Sequence, residues 1–125
     1  MTYEDVTNVD SIGIATARDG IDVTGGHIDL VDDSKIRVGT GDDLQIYHSN
    51  NNSIIHAGGE GDLYIKGEDI FIQTNDNEAS AYFYRNSGVH LYYDNSKKLE
   101  TTGIGVSVSV VLLRSHKNTH PSDLH

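Results

Sequence analysis

Short runs of strand-forming residues, most of them alternating apolar and polar one by one, recur along almost the whole chain, and they leave few folds open to it. The runs are Ile21-Asp-Val23, Ile28-Asp-Leu30, Ile36-Arg-Val38, Leu44-Gln-Ile46, Ile54-Ile55, Leu63-Tyr-Ile65, Ile70-Phe-Ile72, Tyr82-Phe-Tyr84, Val89-His-Leu91-Tyr-Tyr93 and Val106-Ser-Val108-Ser-Val110. Successive side chains of an extended strand point to opposite faces, so each run reads as a strand with one apolar face. Most run centres lie about 7–12 residues apart, the spacing of a strand plus a turn.

The gaps are turn-formers: Gly25-Gly26, Asp32-Asp33-Ser34, Gly39 to Asp43, Ser49 to Ser53, Gly58 to Gly61, Asn75 to Asn77, Asn86 to Gly88 and Asp94 to Ser96. Gly, Asn and Asp tolerate positive φ, and Asn and Asp also bond to the local backbone. No window shows a sustained helical stripe. The best helix candidate, Asn77-Glu-Ala-Ser-Ala81, is too short to propagate alone. The expected fold class is all-β, with short strands wound or stacked as a β-helix or β-prism. An N-terminal lead-in of residues 1–12 precedes a repetitive β region of residues 13–110 and an atypical C-terminal tail of residues 111–125.

There is an internal echo. Gly39-Thr-Gly-Asp-Asp43-Leu44-Gln-Ile46 is repeated 19 residues later as Gly58-Gly-Glu-Gly-Asp62-Leu63-Tyr-Ile65. A second, Gly20-Ile-Asp-Val-Thr and Gly105-Val-Ser-Val-Ser, joins the two ends of the region. Repeated short strands suggest stacking in which neighbours complete each other's core. Most inward positions offer a single aliphatic residue, which is little apolar burial to set against the entropy of ordering the chain. The expectation is therefore a homo-oligomer, a trimer about its long axis, with Val23, Leu30, Val38, Leu44, Ile46, Leu63, Ile65, Ile70, Ile72, Leu91 and Val108 facing inward.

Charge and cysteine content exclude whole classes of function. With 9 basic and 19 acidic residues the net charge is −10, so neither a nucleic-acid partner nor a hold on anionic lipid is expected. The chain has no Cys, which removes disulfides, thiolate metal sites and a Cys nucleophile. No apolar run is long enough to insert in a membrane as a helix, and the polar, acidic opening MTYEDVTNVD does not read as a signal peptide.

The chemistry-bearing residues have plain readings. The seven His (27, 48, 56, 90, 116, 120 and 125) read as surface or turn residues. His116 and His120, four apart, lie in a polar stretch ending at Pro121. His48 and His56 would face each other across the Asn-rich loop, and an intertwined oligomer could gather copies of one His at an axial ion site. The acidic turns approach a glycine-rich calcium nonapeptide but place Asp and Leu one residue early, with no tandem period. Asp32-Asp33 and Asp42-Asp43 fall in turns, where Asp is expected. No nucleophile elbow, phosphate loop or His-Glu-x-x-His occurs. No catalytic, cofactor-binding or metal residue is assigned, no cofactor is expected, and the chain is read as not an enzyme. Tyr82, Tyr84, Tyr92 and Tyr93 with Phe83 are read as an aromatic cluster packing across strands of a half-exposed sheet.

Three blocks carry a resemblance: Gly13-Ile-Ala-Thr-Ala-Arg-Asp-Gly-Ile-Asp-Val-Thr-Gly25, Ile36-Arg-Val-Gly-Thr-Gly-Asp-Asp-Leu-Gln-Ile-Tyr-His48 and Leu91-Tyr-Tyr-Asp-Asn-Ser-Lys-Lys-Leu-Glu-Thr-Thr-Gly103. Together they resemble a repeat of tail-fibre-like virion structural proteins of marine bacteriophages, notably those infecting cyanobacteria. The resemblance covers about residues 9–109 and implies one unit of a long fibrous assembly in the virion. It implies association with copies of itself and other virion proteins, with surfaces offered to a host-cell glycan, and it supplies no catalytic residues. The chain departs from the pattern after Val110, where the tail loses its alternation. Two other readings compete: a monomeric β-helix that degrades glycans, marked by paired carboxylates in a deep groove, and a calcium-stabilised adhesin module.

Overall fold

A computed structural model describes residues 6–110. The atypical tail, with His116, His120 and His125, and the first five residues lie outside the described residues, so the readings placed there have no structural counterpart. The chain is all-β: eight strands form two open antiparallel sheets, and there is no helix among the described residues. It divides into two compact units, Met1–Asp62 and Leu63–His125, with one sheet in each.

The first unit holds β1 (Lys35–Val38), β2 (Leu44–Ser49) and β3 (Asn52–Ala57) as a simple meander. Register sets the faces: Ile36 lies opposite Ile46 and Val38 opposite Leu44, and across β2 the partners of Leu44 and Ile46 are Ala57 and Ile55. Strict alternation then gathers Ile36, Val38, Leu44, Ile46, Ile55 and Ala57 on one face and Lys35, Arg37, Gln45, Tyr47 and His56 on the other.

The second unit holds β4 (Asp69–Gln73), β5 (Ala79–Tyr84), β6 (Val89–Tyr93), β7 (Ser96–Thr102) and β8 (Gly105–Val108) in chain order. Its hairpins are tight. Asp94 and Asn95, both with left-handed φ (49° and 55°), make the two-residue link between β6 and β7. Positive φ at both positions gives a turn whose twist matches the flanking strands. Gly88 is required by close approach, because a Cβ there would stand 2.6 Å from the Thr101 carbonyl oxygen.

Most alternating runs from Ile36 onward become strands, and the turn residues Asp33, Asp42, Asn50 and Asn77 take the left-handed conformation. Three runs do not: Ile21–Val23, Ile28–Leu30 and Leu63–Ile65 belong to no strand. Alternation gives a run a face but not a neighbour, and among the described residues no strand pairs with them. Conversely, β7 carries Leu99 alone as an aliphatic and becomes a strand because the Asp94-Asn95 turn folds it onto β6. The helix candidate is absorbed into the entry of β5.

The expected inward set is not enclosed within the chain. Among the described residues only Ala79 is buried, while Val23, Leu30, Val38, Ile46, Leu63, Ile65, Ile72, Leu91 and Val108 are exposed and Leu44 and Ile70 half-buried. Each sheet is a single layer, and among the described residues no second sheet packs on its aliphatic face within its unit.

Candidate functional site

The densest cluster of polar and aromatic side chains lies on one face of the five-stranded sheet. Phe71 faces Tyr82 across β4–β5, Tyr82 faces His90 across β5–β6, and His90 faces Glu100 across β6–β7. Tyr84 and Tyr92 stand two residues along on the same side. Phe71–Tyr82 and Tyr84–His90 meet edge to face with centroids 4.6 Å and 4.9 Å apart, and Tyr82–Tyr92 is tilted at 5.1 Å. These are the preferred geometries for aromatic pairs.

A β-bulge completes the site. The register slips between Leu91 and Tyr92, so that Tyr92 lies opposite Lys97 while Leu91 remains opposite Leu99. Residues three apart on a regular strand point to opposite faces. The extra residue puts Lys97 and Glu100 on the same side, where they form an ion pair. Glu100 also lies 3.4 Å from His90 Nε2, and the Tyr92 hydroxyl lies 3.4 Å from His90 Nδ1. Gln73 donates to the Tyr82 hydroxyl at 2.8 Å.

The electrostatics follow from these contacts. The hydrogen bond from Lys97, helped by the charges of Lys97 and His90, holds the Glu100 carboxyl below the usual carboxylate range. The same bond raises the Lys97 ammonium above its ordinary value. Desolvation among the rings, followed by the charges of Tyr92, Tyr82 and Asp69, pushes the Tyr84 phenol up. The result is a polar surface whose side chains largely satisfy one another.

The sequence reading of the aromatic cluster holds in part. Tyr82, Tyr84 and Tyr92 pack across strands as expected, but Phe83 points to the opposite face and Tyr93 stays outside, 75 % exposed. Phe71, His90, Lys97 and Glu100 join instead. Period-2 counting from Tyr82 through the hairpins could have found Phe71 and His90; the bulge that recruits Lys97 leaves no mark in the alternation.

The other candidates separate. His48 lies opposite Ser53, with its Nδ1 3.1 Å from the Ser53 hydroxyl, whereas His56 lies opposite Gln45. Alternation therefore puts the two His on opposite faces of the sheet, correcting the expectation that they meet. An open polar depression of about 540 Å³ is lined by Asp33, Ser34, Lys35, Arg37, Asp42 and Gln45. Its cations are already engaged: Arg37 pairs with Asp42 at 2.7 Å and Lys35 donates to Gln45 at 2.8 Å. Among the described residues, no group of three or more His, Asp or Glu comes together as metal ligands would.

The chain matches no family model, and comparison with curated proteins and with solved structures likewise gives no match.

Proposed function

We propose that this chain is a non-enzymatic structural segment of a phage tail fibre or related appendage, built to associate with copies of itself. The observation that carries the reading is the bare aliphatic face of the five-stranded sheet. Ile72, Phe83, Leu91, Val106 and Val108 share it, and their exposure runs from 39 % at Phe83 to 61 % at Val106. The three-stranded sheet offers a second such face.

Contiguous exposed apolar surface on a sheet face marks an interaction site.

In this reading three chains form a wound or prismatic β rod about a common axis, with the aliphatic faces inward. The tyrosine face and the acidic turns face water and, in the virion, neighbouring proteins or a host-surface glycan. The net charge of −10 keeps such rods apart in solution. Light scattering coupled to size-exclusion chromatography tests it. A mass near three chains, about 41 kDa from 13.7 kDa each, is expected; a stable folded monomer at micromolar concentration removes the proposal.

A further inference from the structure

The 19-residue echo extends into the structure, and its second copy is unfinished. In the first copy β1 runs into a turn and then β2, with Val38 opposite Leu44 and Ile36 opposite Ile46. Moved along by 19, these positions become Ala57, Leu63, Ile55 and Ile65. The turns also correspond: Asp42 and Gly61 occupy the same place, and both have positive φ, 56° and 105°. The first copy closes its turn with a hydrogen bond from Asp42 N to Gly39 O at 3.2 Å. The second copy has no matching bond from Gly61 to Gly58 among the described residues. Gly58 N bonds instead to Asp43 O at 2.8 Å, and a Cβ on Gly59 would stand 2.5 Å from the Asp43 carboxylate. The chain leaving β3 is thus held on the β2 side, away from the free edge of β3. Leu63–Ile65 pairs with no strand, and Tyr64 is 74 % exposed.

We infer that Leu63–Ile65 becomes a strand on the free edge of β3 in a second copy of this chain. The register is that of the first hairpin, with Leu63 of one copy opposite Ala57 of another and Ile65 opposite Ile55. The chemistry of the faces agrees. Leu63 and Ile65 then extend the aliphatic face of Ile36, Val38, Leu44, Ile46 and Ile55, and Tyr64 falls beside His56 on the polar face. Backbone groups of the β3 edge and of the run satisfy each other, as in strand addition generally. The inference rests on the self-association proposed above and adds where one chain enters another.

Because the chain has no Cys, disulfide trapping tests this directly. Ile55→Cys and Ile65→Cys are made as separate full-length proteins, unfolded together, refolded as a mixture and oxidised. Cross-strand Cα atoms lie about 4.5–5.5 Å apart, within disulfide range. The mixture gives a disulfide-linked two-chain band that neither variant gives alone. A mixture of Ile54→Cys with Ile65→Cys, which places the two thiols on opposite faces, does not. The double variant I55C/I65C forms linked multimers; a linked single chain instead means that the hairpin closes within one chain and overturns the inference. Multimers by light scattering with no linked band overturn the inference alone and leave self-association standing. A monomeric parent chain overturns both.

Discussion

The two faces of the five-stranded sheet are built on the same strands and meet water very differently. On one, Tyr82, Tyr84, His90, Tyr92 and Glu100 are half-buried and Phe71 at its edge is exposed. On the other, Ile70, Val89 and Leu99 are half-buried, while Ile72, Phe83, Leu91, Val106 and Val108 are exposed. Long amphipathic side chains lean on one another across strands and keep their polar tips wet, so a single sheet layer can finish that face unaided. Short aliphatic chains stand roughly upright and need a second layer. On the proposal of self-association, the tyrosine side is the outer surface and the aliphatic side the contact between copies. In the three-stranded sheet the polar face is again covered by its own side chains, Lys35 lying 4.3 Å above the Tyr47 ring.

The strongest way to break this contrast is to substitute one face at a time. Leu91→Asp should weaken association by about a hundredfold or more, since it places an unpaired carboxylate in a closed apolar contact. Tyr84→Thr, on the opposite face, should leave the mass in solution unchanged. Sedimentation of the two variants side by side reads the difference, and equal behaviour removes the distinction.

Gly88→Ala should come next, affecting both faces because it strikes the β5–β6 connection against β7. The new methyl would meet the Thr101 carbonyl at 2.6 Å, at a cost of about 1–3 kcal/mol in urea unfolding. Asn95→Val should cost about 1–2 kcal/mol, because a β-branched residue resists the left-handed φ of 55°. That loss should appear in the same measurement.

The smallest effect belongs to the Lys97–Glu100 pair, and its sign is set by the two shifts. Glu100 is lowered, so its contribution is present above the ordinary glutamate range and disappears as pH falls through its folded value. Lys97 is raised, so its contribution is present below the ordinary lysine range and disappears as pH rises through its folded value. Lys97→Met should therefore flatten both limbs of a stability–pH profile, its loss falling near neutrality and vanishing at both extremes, and staying small as expected of an exposed pair.

Much of the fold is legible in the sequence because alternation and turn chemistry are local. Asp94-Asn95 and the left-handed Asp33, Asp42 and Asn50 do in the structure what their residue types suggest. Pairing is not local. Ile21–Val23 and Ile28–Leu30 have the pattern of strands and no paired strand among the described residues, whereas β7 has almost no pattern and two neighbours. The site was half legible for the same reason. The tyrosines on alternating positions are visible in the one-dimensional pattern, but the ion pair of Lys97 and Glu100 depends on a single-residue bulge set by the strand opposite.

The central claim is that folding of these sheets is completed by other copies of the chain, and thermal unfolding across a hundredfold range of concentration tests it most directly. The account predicts a midpoint that climbs as the protein is concentrated, because association and folding are then one equilibrium. A cooperative transition whose midpoint stays fixed from the most dilute sample to the most concentrated would contradict it.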